Sequence, residues 1–384
     1  MLFPRIVYRE RVKVTQSKIS ALQKVIKKSP KAREILKNWA RNNGLVIPDL
    51  EQQPVGGRVL HPEDGFSDAL TETEMSHVSR PDGLADLHRK GITGKGVTVA
   101  VVDSGIAPHP DFEGRIKAFR DFTGRRTVKK NNIDPTGHGT HVSGIIAGDG
   151  SSVRGIAPEA DLVGCRINSA QDAIKAIDWV IANKEKYSID VLNLSLGVDA
   201  PSNPAEDEFR KAAERAVDAG ILVVAAAGNE CHGNHCSSTI SSPGNSPKVI
   251  TVGALDDKGT PARGDDSVYA TSSRGSDKGG KPDLVAEGVN VLAPLAKGSD
   301  FADKLSRSAA YVALAGSSQA APMVAGALAL MLQVNPELSQ DEAKDVLRRT
   351  ADKLKGVSKA AQGAGRLDLE GAVAAAERRA KKAS

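Results

Sequence analysis

Aromatic side chains are scarce in this chain, at 3% of 384 residues. Ala, Gly and Val are abundant instead, so we predict a core in which small side chains pack closely between layers of secondary structure. The sequence has no stretch that is both long and apolar enough to cross a membrane, and we expect no membrane span.

The first residues also lack the apolar segment that a Sec-type signal requires. Met1–Arg5 already carries a charge, and no apolar h-region follows it. We therefore expect a cytoplasmic protein, with export to the extracellular side by a route that the sequence does not reveal as the alternative.

Basic residues are concentrated at one end of the chain. Residues 1–45 contain 12 Lys and Arg against 2 Glu, a net charge of +10, and since the whole chain carries +5 the remainder carries −5. A basic arm beside a slightly acidic body favours docking of this extension on its own body in cis. A nucleic acid or an anionic surface would also fit such an arm, and a solvated basic helix is the plainest alternative. Because no nucleic-acid motif accompanies the arm, we expect no nucleic-acid binding.

The length allows one large domain with an extension. Apolar residues recur at helical spacing over Thr15–Asn43, with a break at Pro30, and the stretch after Pro48 is rich in Pro, Gly and acids. We divide the chain into a basic helical extension (1–47), a linker (48–83), a main domain (84–376) and a charged tail (377–384) that we expect to fray.

Three short segments carry Asp, His and Ser in that order. Asp103 follows 97–102, an apolar and β-branched run typical of a strand buried on both faces, and open α/β sheets place their sites at the carboxyl ends of such strands. His138 lies between two glycines, before a run of small residues that suits a helix start. Ser318 precedes Pro322 and an apolar run of helical period, which puts it beside the unpaired N–H groups of a helix N-terminus. Together these residues supply an orienting acid, a general base and a nucleophile.

Each of these residues also has an interpretation without chemistry. Asp103 fits a turn, and Ser318 fits a helix N-cap, with Ser317 as its rival for the nucleophile. His138 and His141 have the spacing of half a metal site, but no Glu follows in the zinc-protease pattern. We interpret His141 as a buried structural histidine.

A fourth polar residue, Asn229, follows the buried-strand pattern at 221–227. An Asn side chain at the carboxyl end of a strand can donate to the oxyanion of a tetrahedral intermediate. The alternative is an Asn in a left-handed turn after Gly228.

Strand and helix patterns alternate along the main domain. Strands are predicted near 97–102, 161–167, 190–196, 221–227 and 249–254, and helices near 139–148, 170–185, 204–219 and 318–333. A further helix is predicted over Asp341–Arg349, with Ser339 as its N-cap. The alternation predicts an α/β fold with a mainly parallel central sheet and helices on both faces.

From about Gly91 to about Ala375 the chain resembles the subtilases, the subtilisin-like serine endopeptidases. The matching segments are Gly94–Val97, Asp103–Ile106, His109–Phe112, Gly137–Gly144, Gly155–Pro158, Val191–Gly197, Ala226–Asn229, Ala315–Gly326 and Gly363–Asp368. The order Asp, His, Ser is also that of subtilisin. The resemblance implies a three-layer subtilisin-like fold, a catalytic triad of Asp103, His138 and Ser318, and Asn229 as the oxyanion donor.

The resemblance further implies how substrate binds and what else the protein needs. Ser195, Leu196 and Gly197 look like the backbone edge that pairs with a protein or peptide substrate as an added strand. No cofactor is expected for the chemistry. Asp111 matches a calcium ligand of the family, but Asp149–Arg154 is shorter than the loop that supplies the other ligands, so structural calcium is left open.

The chain departs from the family pattern around the nucleophile and the pocket. The family usually has Thr, Met, Ser and His where this chain has Ser317, Gln319, Ala321 and Met323. Val198–Asp199 stands where many relatives have a second glycine, so we expect a different wall in the specificity pocket.

The N-terminus is similar to that of intracellular subtilisins, whose extension lies across the active site. The similarity is carried by Leu2–Arg5. We hypothesise that Leu2–Tyr8 blocks the cleft of the unprocessed protein, with Pro4 awkwardly placed for cleavage.

The three cysteines fall in two places. Cys165 lies in a predicted strand and is most simply a buried small hydrophobe. Residues 231–236 hold two Cys and two His, and we rank a disulfide first, free thiols second and a metal third, because so tight a loop seldom presents four tetrahedral ligands. A disulfide would indicate oxidising surroundings.

The expected function is a serine endopeptidase, made as a zymogen and processed at its N-terminal extension. The alternative from a different class is a catalytically silent relative that binds peptides in the same cleft. A non-peptidase serine hydrolase is disfavoured, because the Gly-x-Ser-x-Gly elbow is absent around Ser318.

Overall fold

A computed structural model of the chain describes residues 81–124, 133–150, 153–233, 235–260, 262–276, 279–305 and 310–383. The predicted basic extension, nearly all of the predicted linker and the hypothesis about Leu2–Tyr8 lie outside the described residues.

The described part of the chain is built on an eight-stranded sheet. Its strands are β1 (Thr98–Asp103), β2 (Ile116–Asp121), β3 (Asp161–Arg166), β4 (Ile189–Leu194), β5 (Leu222–Ala226), β6 (Ile250–Asp256), β7 (Ser267–Val268) and β8 (Leu284–Glu287). The order is β2-β3-β1-β4-β5-β6-β7, and β8 also pairs with β6. Only the β6–β7 pair is antiparallel among these strands, so the mainly parallel sheet is confirmed.

Helices and one separate hairpin complete the described fold. The helices are α1 (Leu84–Arg89), α2 (His138–Ala147), α3 (Ala170–Ala182), α4 (Lys184–Tyr187), α5 (Glu208–Asp218), α6 (Asp300–Leu305), α7 (Ser317–Val334), α8 (Gln340–Thr350), α9 (Lys359–Gln362) and α10 (Leu369–Ala383). The hairpin pairs β9 (Val291–Pro294) with β10 (Tyr311–Leu314) in antiparallel register. β10 leads directly into α7.

Alternate residues of β1 face two different helical layers. Val99 and Val101 pack in the cluster that contains α2 and α7, whereas Ala100 and Val102 pack in the cluster that contains α3 and α5. All six residues of the strand are buried, because helices cover both faces of the sheet. The three-layer α/β fold is therefore confirmed, and small side chains fill much of both interfaces as the composition predicted.

The central helix α7 corrects the expectation that no stretch could cross a membrane. By length and composition alone it qualifies, with 18 residues and a mean hydropathy of 1.2. In the fold, 83% of this stretch is buried inside the domain. A core helix must be apolar all round when strands and other helices surround it, so the composition has a packing explanation.

Several boundaries differ from the sequence prediction for local reasons. The helix predicted over 204–219 starts only at Glu208, because the Asp207 side chain accepts the Arg210 N–H and caps it there. The strands β2, β7, β8, β9 and β10 were not predicted, since they are short or lie partly exposed and lack a long buried apolar run.

The C-terminal part confirms the predicted cap of α8 and shows how far the last helix extends. Ser339 caps α8 through a reciprocal capping box with Glu342, as predicted. α10 continues through the predicted charged tail to Ala383, and the expected fraying of that tail stays a prediction. The Lys381 Nζ lies 2.6 Å from Glu377 Oε1 one turn away, a pair that supports a charged helix end.

Candidate active site

Asp103 is the last residue of β1 and lies at the carboxyl end of the sheet. Its side chain is 1% exposed, and its Oδ1 accepts the Ser104 N–H at 2.6 Å. The same oxygen lies 2.8 Å from Nδ1 of His138. Because a carboxylate oxygen only accepts, Nδ1 carries the proton and Nε2 of His138 is left as the basic nitrogen.

His138 is the first residue of α2, and two glycines shape the chain around it. Gly137 precedes it at φ 89°, a left-handed conformation that glycine adopts without strain. At Gly139 a Cβ would lie 2.1 Å from Gly105 O, so only glycine lets α2 approach the end of β1 this closely. The close approach is what brings His138 to Asp103.

The pKa of His138 is raised above its ordinary value. Burial by itself lowers this pKa, but the charge of Asp103, its hydrogen bond to Nδ1 and the charge of Asp134 outweigh the effect of burial. The imidazole is therefore a stronger base than a free histidine, and the imidazolium form is stabilised.

His141 has the buried structural place that was predicted for it. It is fully buried, and its Nε2 lies 3.0 Å from both the Val291 O and the Val312 O. Both partners are carbonyl oxygens, so Nε2 carries a proton that the two strands of the β9–β10 hairpin share. This contact joins α2 to the β9–β10 hairpin, whose second strand leads into the start of α7.

The start of α7 separates its two serines. Ser317 is fully buried, and its Oγ accepts the Gly228 N–H at 3.1 Å. Ser318 is half-buried instead. The side chain that stays accessible on the first turn of α7 is therefore that of Ser318, and Ser317 is occupied in packing the strand end beside it.

Asn229 lies against this helix start. Its Oδ1 accepts the Ser317 N–H at 2.9 Å, and a Cβ at Gly316 would lie 3.2 Å from its Nδ2. Since a backbone N–H can only be accepted by Oδ1, the Nδ2 group is oriented as a donor beside the first turn of α7. The helices α2 and α7 pack against each other, which brings this donor to the same side of the sheet as the Asp103–His138 pair.

The segment Ser195–Gly197 leaves the sheet at the end of β4. Within the described residues its backbone makes no hydrogen bond, and pairing resumes only at Val198, which exchanges two 2.9 Å bonds with Ser242. A Cβ at Gly197 would lie 2.7 Å from the Ser241 Cβ, so a side chain there would meet the neighbouring segment. Unpaired backbone of this kind can pair with an added strand.

The loop after Asn229 is closed by a disulfide between Cys231 and Cys236, which confirms the first-ranked prediction. Its ends are fixed by backbone bonds, from Cys231 N to Thr271 O and from Ser241 N to Ala227 O. Cys165 is the buried free cysteine that the sequence suggested, and burial raises the pKa of its thiol far above the ordinary value.

Other side chains engage part of the surroundings of Asp111, the calcium candidate. Its Oδ1 accepts the Tyr311 O–H at 2.9 Å and lies 3.1 Å from His109 Nδ1. The guanidinium of Arg115 binds the carbonyl oxygens of Asp111, Ala147 and Ala160. A calcium ion needs six to eight oxygens. Among the described residues, Asp111 Oδ2 is buried without a hydrogen-bond partner, whereas its Oδ1 and the nearby carbonyls are engaged. Structural calcium at Asp111 stays a prediction. The described residues contain no cluster of three or more His, Cys, Asp or Glu able to hold a metal ion.

One buried carboxylate of the site was missed at the sequence level. Asp134 lies four residues before His138 and accepts hydrogen bonds from Gly137 and Thr140, on either side of that histidine. The only sequence signal was an acid shortly before a Gly-His-Gly segment, which loops often contain for turn reasons alone.

The family model described as the subtilase family matches residues 94–365 of the chain.

The chain belongs to the subtilase family.

This subtilase is similar to several characterised proteins. It is 43% identical to serine protease AprX of Bacillus subtilis (strain 168) over 326 residues, which cover 79% of this chain and 71% of AprX. It is 34% identical to the major intracellular serine protease of the same organism, with 73% of this chain and 86% of the relative covered. Among solved structures, the proteases from Pseudoalteromonas arctica PAMC 21717 match with a TM-score of 0.60 at 26% identity, over 74% of this chain and 91% of theirs. The chain is a subtilisin-like serine endopeptidase.

Proposed function

We propose that this subtilase cleaves peptide bonds through an acyl-enzyme formed on Ser318, with His138 as the general base and Asp103 as the orienting acid. The observation that carries the proposal is the 2.8 Å hydrogen bond between His138 Nδ1 and Asp103 Oδ1, which leaves Nε2 as a base at the end of the sheet where α7 begins. The accessible hydroxyl at that helix start belongs to Ser318.

Each residue then has one step in the reaction. His138 Nε2 takes the proton from Ser318 Oγ as the oxygen attacks the carbonyl carbon, and Asp103 stabilises the imidazolium that results. The Asn229 Nδ2 and the Ser318 N–H donate to the oxyanion. The imidazolium next gives its proton to the leaving amine, and a water molecule, activated by His138, releases the acyl group.

Protein and peptide substrates would bind as an added strand along Ser195–Gly197. The support for this step is the unpaired backbone of that segment, together with the closeness of Gly197 to the Ser241 side chain. Backbone pairing of this kind holds an extended peptide while leaving specificity to the side-chain pockets.

The test is casein hydrolysis and labelling with an active-site phosphonylating probe, applied to the wild type and to Ser318→Ala. We expect both signals to fall by at least about ten-thousand-fold in the variant. The matched control is Ser317→Ala, which removes the neighbouring hydroxyl and should keep probe labelling. Labelling that persists in Ser318→Ala, or that disappears only in Ser317→Ala, would contradict the assignment. A wild type with neither signal would indicate a silent peptide-binding relative.

Zymogen processing is a further proposal. The charge contrast between residues 1–45 and the rest supports docking of the extension in cis, and we propose that its removal activates the enzyme. A chain that begins near Ser79 should be more active per molecule than the full-length protein. Equal activity would contradict activation by removal of the extension.

Two features point to different compartments for this protein. The similarity to the major intracellular serine protease of Bacillus subtilis supports the cytoplasm, whereas the Cys231–Cys236 disulfide is typical of oxidising surroundings. We propose the cytoplasm, and cell fractionation combined with thiol trapping of the native protein would decide it. Recovery of the protein only outside the cell would refute the proposal.

A further inference from the structure

A buried carboxylate clamps the helix start that carries His138. Asp134 is 5% exposed, and its Oδ1 accepts the Gly137 N–H at 2.9 Å. Its Oδ2 accepts both the N–H and the Oγ1–H of Thr140 at 2.8 Å. The two N–H groups lie on either side of His138, so this one side chain holds the backbone both before and after the histidine.

Ser104 links the two carboxylates of the site. Its Oγ donates to Asp134 Oδ1 at 2.7 Å and accepts the Gly139 N–H at 2.9 Å. Its backbone N–H donates to Asp103 Oδ1, the oxygen that binds His138. Asp134, the start of α2 and the end of β1 therefore form one hydrogen-bonded unit around the imidazole.

We propose that Asp134 is a positioning residue for the reaction: it holds the start of α2 so that His138 Nδ1 faces Asp103, and it adds a second negative charge beside the imidazole. The inference rests on the proposed function, because it assumes that His138 is the general base. Asp134 itself does not touch the reacting atoms.

The charges around His138 support the second part of the proposal. Among the described residues, Asp103 faces it from β1 and Asp134 from the segment before α2. His141 on its own helix is bound to backbone carbonyls, and Asp300, at the start of the neighbouring α6, is exposed. Both facing groups raise the pKa of His138 against the effect of burial.

The Asp134 carboxylate accepts every hydrogen bond that it makes with the described residues. Burial raises the pKa of its carboxyl, and the hydrogen bonds from Ser104 and Thr140 oppose that rise. Donors occupy both of its oxygens, an arrangement that suits the ionised form. A neutral amide at this position would keep a similar shape and lose the charge.

The experiment compares the pH dependence of kcat/KM in the wild type, Asp134→Asn and Asp134→Glu. For Asp134→Asn we expect the acid limb to move to lower pH by roughly half a unit to one unit, because a lost negative charge makes the imidazolium less stable. We also expect kcat to fall about 10-fold or more through displacement of the base. Asp134→Glu keeps the negative charge but shifts the carboxylate away from its hydrogen-bond partners. We therefore expect the acid limb to stay at its wild-type pH while kcat falls.

Asp207→Asn is the matched control. Asp207 is also a buried carboxylate that caps a helix, accepting the Arg210 N–H at 3.0 Å and the Ser242 O–H at 2.6 Å, but it does not contribute to the pKa of His138. The acid limb of the kcat/KM profile of Asp207→Asn should coincide with that of the wild type. Titration of the His138 imidazole by NMR in the Ser318→Ala background gives a readout that does not depend on turnover.

The outcomes separate this inference from the proposed function. An unchanged acid limb and unchanged imidazole titration in Asp134→Asn would overturn the charge role, and wild-type kcat in Asp134→Glu would overturn the positioning role. If Asp134→Asn does not fold, Asp134→Glu still tests positioning. If Ser318→Ala stays active, the proposed function itself fails.

Discussion

At the scale of single residues, neighbours decide which of two similar side chains is available for chemistry. Ser317 and Ser318 are adjacent, yet Ser317 is fully buried with its Oγ bound to the Gly228 N–H, and Ser318 is not. Asn229 shows the same principle, because the Ser317 N–H fixes its Oδ1 and so turns its Nδ2 into the free donor. Availability is a property of the contacts rather than of residue type.

A substitution at Asn229 can separate these two functions of its amide. Asn229→Asp keeps an oxygen for the Ser317 N–H and removes the Nδ2 donor. We expect kcat to fall on the order of 100- to 1,000-fold with KM nearly unchanged, because the oxyanion is absent from the bound substrate and forms only in the transition state and the tetrahedral intermediate. Steady-state kinetics on a short peptide substrate measure this. A loss confined to KM would mean that Asn229 binds substrate rather than the oxyanion.

At the scale of elements, short segments near the proposed catalytic residues are anchored to the rest of the domain by hydrogen bonds. The β9–β10 hairpin is tied to α2 by His141 before it enters α7. The loop after Asn229 is anchored by Cys231 N to Thr271 O at one end and by Ser241 N to Ala227 O at the other. The disulfide closes this loop, which lies in the chain between Asn229, the proposed oxyanion donor, and Ser241, the neighbour of Gly197.

Removal of the disulfide should therefore affect substrate binding more than the chemical step. In Cys231→Ser/Cys236→Ser we expect KM to rise several-fold and kcat to stay within about two-fold. The reason is that Asn229 lies before the loop in the chain and is held separately by the Ser317 N–H. The free energy of unfolding should fall by about 2 kcal/mol, because a small loop loses its cross-link. Cys165→Ala is the control, as it removes a cysteine in β3 and should leave KM unchanged. A lowered kcat with constant KM would refute this view of the loop.

At the scale of the whole molecule, a buried ion network joins distant parts of the chain. The Arg366 guanidinium pairs with Glu287 at 2.9 Å, Asp266 at 2.8 Å and Asp82 at 3.2 Å. The Glu287 side chain is fully buried and that of Asp266 is 1% exposed. One arginine thus holds the end of β8, the segment before β7 and the residues ahead of α1 together.

Loss of this arginine should destabilise the entire domain. In Arg366→Met the buried carboxylates would lack their cation, and we expect the free energy of unfolding to fall by about 3–5 kcal/mol. Chemical denaturation in the Ser318→Ala background, which prevents autolysis, measures this. Arg263→Met is the control, because Arg263 also pairs with Asp82 but is half-exposed and should cost about 1 kcal/mol or less. Equal effects of the two variants would contradict the role of burial.

The buried Lys281 gives the stability a pH dependence. Burial lowers the pKa of Lys281 from 10.5 to about 7, although Asp283 opposes this shift. Between these values the unfolded chain binds a proton that the folded chain does not, so stability rises with pH across that window. We expect a slope of up to about 1.4 kcal/mol per pH unit from pH 7.5 to 9.5 in the Ser318→Ala background. Lys281→Met should lose this slope, and a slope that persists in it would refute the assignment.

Local patterns determined much of the fold. The strands β1, β3, β4, β5 and β6 and the helices α2, α3, α5, α7 and α8 were predicted within a few residues, because buried apolar runs, helical periodicity and caps are properties of neighbouring residues. Short or half-exposed strands such as β2 and the β9–β10 hairpin were missed, since pairing with distant strands rather than their own pattern stabilises them.

The sequence by itself determined which residue types stand in which order: Asp103 after a buried strand, His138 and Ser318 at helix starts, and Asn229 after another strand. Their proposed catalytic roles stay predictions until the variants are measured. Only the tertiary structure decided which atoms meet, since the contacts of His138 with Asp103 and of Ser317 with Asn229 join residues 35 and 88 positions apart. It also decided that Asp134 clamps the start of α2 and that Ser317 is the buried serine. The reason is physical: hydrogen bonding and burial at such sites depend on how helices and strands pack, and packing is not encoded in any local pattern.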